Sequence, residues 1–98
     1  MFTVRLARGA VEDLEDLGAH GRSRILDAIE RSLQTHPLDP NRNRKELVGL
    51  VPPWEHVAPV WELRVGDYRV FYDVDRERRQ VIVRAIRHKG RKTTEEVL

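Results

Sequence analysis

The sequence contains no cysteine, which excludes disulfide bonds, thiolate metal sites and cysteine nucleophiles and agrees with a reducing compartment. A run of about eighteen consecutive apolar residues, the length that a membrane helix requires, is also missing. The N-terminal residues carry frequent charges where an export signal needs an uninterrupted apolar stretch. We therefore expect a cytoplasmic protein that is neither exported nor membrane-spanning.

Acidic residues are scarce in the C-terminal part of the chain, although the whole sequence has 18 basic and 16 acidic residues. Residues 76–92 hold eight basic residues and a single acid, Glu77. Most basic residues of the chain are arginines, whose planar guanidinium binds phosphate through paired hydrogen bonds. This block favours a polyanion or an acidic protein segment as partner. A general compositional bias toward arginine explains the excess equally well.

Length and composition indicate one small domain. With 98 residues, of which 40% are hydrophobic and 35% charged, the chain has room for a single thin core over residues 1–98, which a bound partner would stabilise. It has no glycine-rich phosphate loop and no nucleophile motif. His20, His36 and His56 have no carboxylate or second histidine at metal-ligand spacing, so we predict no metal site and no cofactor.

Apolar periodicity in the first third of the chain predicts a strand and two helices. Residues 2–7 alternate between apolar and polar positions, as a half-buried strand does. An i, i+1, i+4, i+7 apolar stripe over 10–17 predicts a helix that ends at Gly18. Helical spacing resumes at Arg22 and ends before Pro37. The short connection between the helices predicts an antiparallel helical hairpin.

The remainder of the chain is predicted to be rich in strands. Residues 37–59 carry several prolines and little periodicity, so we expect a long irregular connection there. Alternation then predicts strands at 60–65, 68–74 and 80–87, followed by one helical turn at 93–96. The order strand, helix, helix, strand, strand, strand predicts an α+β fold, in which the helical hairpin packs on one face of a mostly antiparallel sheet and the last three strands form an antiparallel meander. The other face would be free for function.

A two-residue loop at Gly66-Asp67 fixes the register of the central hairpin and places Arg64 opposite Arg69. The predicted core face collects Trp61, Leu63, Val65, Tyr68, Val70 and Tyr72. The opposite face collects Glu62, Arg64, Arg69, Phe71 and Asp73. Facing arginines repel each other. The pattern therefore indicates either a phosphate bound between them or their neutralisation by Glu62 and Asp73.

Basic residues follow the last strand and would close over the same face: after His88 come Lys89, Arg91 and Lys92. A histidine exchanges protons near neutral pH, which suits general acid or base catalysis. A surface role without chemistry is nevertheless the common one for a histidine in a basic tail. Of the two tryptophans, Trp61 lies on the predicted core side, whereas Trp54 could pack or stack on a base.

Three segments resemble toxins of the RelE/ParE superfamily. The segment WELRVGDYRVFYDV at 61–74, followed by the strand rich in Val and Ile and by the basic run RHKGRK at 87–92, is similar to the C-terminal half of these toxins. A K-x-L-x-G-like element at 45–49 extends the similarity, which covers most of the chain. The resemblance implies a RelE/ParE-like fold and the toxin component of a type II toxin–antitoxin module.

The resemblance also implies an activity, that of a ribosome-dependent and metal-independent mRNA endonuclease that inhibits translation. In such enzymes a base activates the ribose 2′-hydroxyl, basic residues stabilise the phosphorane, and an acid protonates the leaving 5′-oxygen. Arg69 matches the arginine at the scissile phosphate. The catalytic residues so implied are Arg69, Arg64, His88, Lys89 and Glu62. The implied RNA- or phosphate-binding residues are Arg84, Arg87, Arg91, Lys92 and Lys45.

Two departures from the superfamily leave the reaction open. Many of its nucleases have a tyrosine in the C-terminal tail, where this chain has Thr93, Thr94 and Glu95. Some carry lysines on the strand where this chain has Glu62. The alternatives are a ParE-like, non-enzymatic inhibitor of DNA gyrase and a catalytically decayed module that only binds its antitoxin.

The resemblance implies the partners as well. A cognate antitoxin would cover the basic face with an acidic or amphipathic segment and wrap the helical hairpin and the sheet. The targets would be the ribosome and mRNA or, in the alternative, DNA gyrase. Operator DNA would be contacted only through the antitoxin complex.

Overall fold

The computed structural model describes residues 1–98, the whole sequence. In chain order its elements are β1 (Thr3–Leu6), α1 (Arg8–Glu15), α2 (Ala19–Leu33), β2 (Arg44–Glu46), β3 (Trp61–Val65), β4 (Tyr68–Asp75), β5 (Gln80–His88) and α3 (Thr94–Val97). α2 begins before the predicted Arg22 because Gly18, in an extended conformation, serves as its N-cap. None of the helices combines the length and apolar character that crossing a bilayer requires.

The five strands form one sheet in the order β1-β5-β4-β3-β2. β1 runs parallel to β5, and every other neighbouring pair is antiparallel. The β3–β4 register is the predicted one, with Arg64 opposite Arg69. Gly66 has a φ of 59°, the left-handed conformation that a tight hairpin loop requires. The predicted α+β fold is thereby confirmed.

One face of the sheet packs against α1 and α2. The apolar stripe of α2 buries Ile25, Ile29 and Leu33. The sheet contributes to the same cluster the predicted core residues Trp61, Leu63, Val65, Val70 and Tyr72, with Tyr68 partly buried beside them. The buried Tyr72 hydroxyl donates a 2.6 Å hydrogen bond to the carbonyl oxygen of Pro37, and burial raises the pKa of this phenol. Tyr72 thereby fastens the start of the long connection to the core.

The connection over 37–59 is not wholly irregular, which corrects the sequence-based expectation. Residues Arg44–Glu46 form β2 and pair with β3 at the edge of the sheet. The side-chain oxygen of Asn41 accepts hydrogen bonds from the backbone N–H groups of Asn43 and Arg44, at 2.7 and 2.9 Å, and so turns the chain into the strand. A strand this short cannot show alternation in a sequence.

The second face of the sheet is not wholly free, again in contrast to the expectation. A smaller apolar cluster covers its middle and consists of Phe71, Ala85 and Val97, with Leu47, Trp54 and Leu98 packed around them. The long connection and α3 supply most of this cover. The hairpin end of β3 and β4 stays open, and polar residues of the second face gather there.

A β-bulge decides which side chains of β5 reach the second face. The β4–β5 register shifts between Phe71, which pairs with Ala85, and Tyr72, which pairs with Val83. Arg84 is the extra residue of this bulge and has no partner on β4. Beyond this shift Ile86 lies in the helix-side core, and His88, two residues further, lies on the same side. The bulge therefore turns His88 away from the second face.

Candidate functional site

A cavity of about 190 Å³ lies at the hairpin end of the second face, and every residue lining it is polar or charged. We call it the basic cavity; its lining residues are Asn41, Arg42, Asn43, Arg44, Lys45, Glu62, Arg64, Arg69, Lys89 and Thr94. Six of them are basic, and Glu62 is the only acid. This excess of positive charge attracts anions.

Glu62 is the point where the polar contacts of the basic cavity meet. Its side chain is only 4% exposed. Arg69 Nε lies 3.6 Å from one carboxylate oxygen, and Lys45 Nζ lies 3.5 Å from the other. Thr94 Oγ1 donates a 3.1 Å hydrogen bond to the same oxygen that faces Arg69. A buried carboxylate needs such partners, and here β2, β4 and the C-terminal tail each supply one.

The hairpin loop fixes the guanidinium of Arg69. Its Nη1 donates 2.8 Å hydrogen bonds to the carbonyl oxygens of Gly66 and Tyr68. The side chain is 10% exposed. Its Nη2 makes no hydrogen bond within the protein, so this nitrogen keeps its donors for an anion in the basic cavity.

Arg64, directly opposite Arg69 in the register, is exposed and takes part in no salt bridge. Glu62 neutralises Arg69, but Asp73 lies further along β4 and accepts 2.8 and 3.2 Å hydrogen bonds from Arg84. The neutralising network that the sequence suggests therefore accounts for Arg69 alone. Arg64 keeps an uncompensated positive charge at the cavity rim.

The structure brings five of the predicted site residues together in the basic cavity: Glu62, Arg64, Arg69, Lys89 and Lys45. They come from β2, β3, β4 and the segment after β5. Hairpin pairing places Glu62, Arg64 and Arg69 on one face, and the pairing of β2 with β3 places Lys45 opposite Glu62. The sheet itself therefore assembles most of the site.

The other predicted residues do not line the basic cavity: Arg84, Arg87, His88, Arg91 and Lys92. Arg84 is held by the buried Asp73. Arg87 Nη1 lies 2.7 Å from a carboxylate oxygen of Asp13. The His88 ring packs edge-on against Tyr68 on the helix side, with the ring centroids 5.2 Å apart. Arg91 and Lys92 are exposed in the tail.

Five lining residues lie outside the sequence-based prediction: Asn41, Arg42, Asn43, Arg44 and Thr94. The first four form the run NRNR that leads into β2. Alternating asparagine and arginine is a usable signal, because asparagine initiates turns and arginine binds phosphate. Thr94 has no such signal, since it reaches Glu62 only through the way that α3 folds back.

Acid is expected to loosen the tail that carries Thr94. Thr93 and Glu96 form a capping box on α3, in which each residue's backbone N–H donates to the other's side chain, at 3.0 and 3.3 Å. The hydrogen bond from the backbone of Thr93, and then that with its side chain, lower the pKa of the Glu96 carboxyl. Stabilisation by this carboxylate is therefore present above its usual pKa and is lost as the pH falls through the lowered value.

Amide NMR during an acid titration measures this loosening. The Thr93 and Glu96 amides should shift together as the carboxylate is protonated, and Val97 should move toward an unstructured shift. Glu96→Gln keeps the capping geometry without the titrating group, so it should abolish the step. Glu95→Gln, also exposed but outside the capping box, should retain it. A wild-type tail that titrates without any change at Thr93 would contradict the expectation.

The fold is that of toxin chains in solved RelE-type toxin–antitoxin complexes. A chain of the archaeal RelE–RelB complex from Pyrococcus horikoshii OT3 matches with a TM-score of 0.69 at 22% identity, over 92% of this chain and 97% of that one. A chain of the RelBE2 complex from Mycobacterium tuberculosis matches with a TM-score of 0.70 at 26% identity, over 89% and 96%. A chain of the intact E. coli RelBE complex matches with a TM-score of 0.57 at 16% identity, over 88% of this chain and 94% of that one.

The sequence agrees with this assignment. A family model described as "ParE toxin of type II toxin-antitoxin system, parDE" matches residues 4–93, and the chain belongs to this family of type II toxins within the RelE/ParE superfamily. No curated protein sequence gives a significant match.

Proposed function

We propose that this toxin is a ribosome-dependent, metal-independent mRNA endonuclease whose active site is the basic cavity. One observation carries the proposal: a buried carboxylate, Glu62, lies in a cavity that is open to solvent and lined by six basic residues. Cleavage of RNA needs both kinds of group, because a proton must leave the nucleophile while negative charge grows around phosphorus. The basic cavity supplies both within one site.

In the proposed reaction the ribose 2′-oxygen attacks the adjacent phosphorus, and the bond from phosphorus to the 5′-oxygen breaks. Glu62 accepts the 2′-hydroxyl proton. Arg69 and Arg64 stabilise the charge of the phosphorane. Lys89 donates a proton to the leaving 5′-oxygen, a role that His88 cannot take from the helix side of the sheet. The products carry a 2′,3′-cyclic phosphate and a 5′-hydroxyl.

A second candidate function is non-enzymatic inhibition of DNA gyrase through protein contact. The match to the ParE toxin family favours it. So does the tail, which has no aromatic residue that could stack on a base. In this case the basic cavity would bind an acidic segment of the target rather than RNA.

We further propose a cognate antitoxin as the partner that silences the toxin in the cytoplasm. Several of the similar structures are toxin–antitoxin complexes. An acidic antitoxin segment would neutralise the excess cations of the basic cavity, and its binding free energy would stabilise the fold by linkage. Operator DNA would meet the toxin only through that complex.

Induced expression of the chain without an antitoxin, with mapping of mRNA 5′ ends, tests the nuclease. We expect growth arrest and new 5′ ends within translated frames. Glu62→Gln keeps the shape of the side chain and an acceptor for Thr94 but removes the base, so most of these ends should disappear. Glu77→Gln removes the same charge from the exposed β4–β5 turn and should cleave as the wild type does.

The alternatives give different readouts in the same cells. Growth arrest with intact mRNA and gyrase-dependent DNA breaks would mean that the toxin inhibits DNA gyrase and is not a nuclease. Normal growth with stable, folded protein would indicate a decayed module that only binds its antitoxin.

A further inference from the structure

A second cavity adjoins the basic cavity on the side of α2. It has a volume of about 430 Å³ and lies between α2 and the end of β3 that leads into the hairpin loop. We call it the arginine groove; its lining residues are Arg24, Ala28, Arg31, Ser32, Asn43, Leu63, Arg64, Val65 and Gly66. Three of these are arginines and none is acidic. Like the basic cavity, it favours an anion.

The arginines of the groove are not neutralised by the fold. None of the salt bridges in the structure involves Arg24, Arg31 or Arg64. Arg31 donates only from Nε, at 3.3 Å, to the carbonyl oxygen of Asp27, which leaves its two terminal nitrogens free. Because Arg24, Ala28 and Arg31 are spaced i, i+4, i+7, they form one stripe of α2 along the groove.

Arg24 is placed against the hairpin loop by the absence of a side chain at Gly66. A Cβ at Gly66 would lie 2.6 Å from Arg24 Nη2 and 2.9 Å from its Cζ. The guanidinium thus occupies the space that a side chain on the loop would fill. Since Gly66 also needs its positive φ for the loop, one glycine serves both the turn and the placement of Arg24.

The arginine groove and the basic cavity meet at two shared residues, Asn43 and Arg64. A single-stranded nucleic acid that places one phosphate in the basic cavity would therefore run past Arg64 toward α2. The next phosphate along the strand would meet Arg24 and Arg31, whose guanidinium groups suit it.

We propose that the arginine groove binds the RNA phosphodiester next to the scissile one, so that α2 extends the substrate path beyond the catalytic cavity. The inference rests on the proposed nuclease function. An acidic peptide is the less favoured ligand because the groove lacks an apolar anchor: Leu63 and Val65 are only 2% and 7% exposed. The polar side chains of Ser32 and Asn43 can instead meet ribose hydroxyls.

Binding of short 2′-fluoro oligonucleotides, which lack the attacking hydroxyl, tests the inference without cleavage. A dinucleotide has one phosphodiester and fills the basic cavity alone, whereas a tetranucleotide has three and reaches the groove. Arg24→Gln combined with Arg31→Gln should weaken tetranucleotide binding about tenfold and leave the dinucleotide unchanged. The slope of log K against log salt should fall by roughly 0.7 in magnitude, since Arg24 and Arg31 bind one phosphate and each lost phosphate contact on a single strand contributes about 0.7.

Two control variants isolate the groove. Arg76→Gln removes a charge at the exposed β4–β5 turn, about 25 Å along β4 from the hairpin loop at ~3.3 Å per residue, and should bind both oligonucleotides as the wild type does. Gly66→Ala should displace Arg24 and weaken tetranucleotide binding, and it should also disturb the dinucleotide site because the Gly66 carbonyl holds Arg69. Gly49 has a similar positive φ, 78°, but a methyl group there meets open space, so Gly49→Ala should leave tetranucleotide binding unchanged.

The outcomes separate this inference from the proposed function. Equal tetranucleotide binding by the wild type and the double variant, with mRNA cleavage intact, would refute RNA binding in the arginine groove but would be consistent with the proposed nuclease. Selective loss of tetranucleotide binding in a chain that cuts no mRNA would support the groove and overturn the nuclease. If hexaglutamate displaces the tetranucleotide from the wild type but binds the double variant equally well, it binds outside the arginine groove. The groove then remains an RNA-binding site. Tight hexaglutamate binding that the double variant loses, with no tetranucleotide binding, would make the groove a peptide site and overturn the RNA assignment.

Discussion

Arg69→Ala should lower the rate of mRNA cleavage on programmed ribosomes by about 10²- to 10³-fold, the range observed when one preorganised oxyanion donor is removed. Arg69 is fixed by the carbonyl oxygens of Gly66 and Tyr68, and in the proposed reaction its Nη2 meets the phosphorane. Little reorganisation is therefore needed when charge develops. Single-turnover cleavage of a ribosome-bound mRNA, at saturating toxin, measures the effect on the chemical step.

Arg69 also holds Glu62, so the loss of activity must be separated from a loss of structure. Arg69→Lys keeps a positive charge near Glu62 but loses the paired guanidinium contacts, and it should recover part of the rate at most. Arg76→Ala, at the far turn, should cleave normally. Thermal unfolding of each variant reports its fold. An Arg69→Ala protein that is folded and cleaves at the wild-type rate would show that Arg69 is not part of the active site.

Asp73→Ala should destabilise the protein by about 3–5 kcal/mol, the usual cost of leaving a buried charge without its partner. The Asp73 side chain is 1% exposed and binds Arg84, whose side chain is 13% exposed, at 2.8 Å. It also accepts a 3.2 Å hydrogen bond from the backbone N–H of Val57. The substitution therefore strands the Arg84 guanidinium and frees the long connection where it crosses the sheet. Urea unfolding followed by tryptophan fluorescence gives the free energy.

Asp75→Ala is the matched control for this substitution. Asp75, also on β4, lies 3.9 Å from the exposed Arg78 side chain and accepts a 3.1 Å hydrogen bond from the backbone N–H of Arg78. Solvent-exposed ion pairs of this kind contribute about 0–1 kcal/mol. A similar small change for both variants would mean that the Asp73–Arg84 pair does not hold the sheet together. Unchanged mRNA cleavage by folded Arg84→Gln would also agree with its place outside the basic cavity.

The central hairpin shows what the sequence determines. Gly66-Asp67 and the flanking alternation fix the register of β3 and β4, and with it the common face of Glu62, Arg64 and Arg69. These signals are local, because loop and strands are adjacent in the chain. The hairpin part of the candidate site therefore follows from the amino-acid sequence alone.

The rest of the site depends on features that local patterns do not contain. Arg42 and Arg44 enter through the turn before β2 and through β2 itself, a strand of three residues. The β-bulge opposite Phe71 reverses the alternation of β5, so strict alternation would place His88 on the wrong face. Arg84 resembles a phosphate ligand in the sequence but meets a buried carboxylate from the neighbouring strand. Such pairings are decided by tertiary contacts.

The parallel pairing of β1 with β5 has a consequence for the synthesis of the toxin. Thr3 pairs with Gln80, so the first strand waits for 77 further residues before its partner exists. At about 5–20 residues per second, this delay is roughly 4–15 s. Meanwhile α1 and α2 lack the sheet on which their apolar stripes pack. The nascent chain therefore lacks its complete core until translation has almost finished. The folded toxin forms only at the end of its own synthesis.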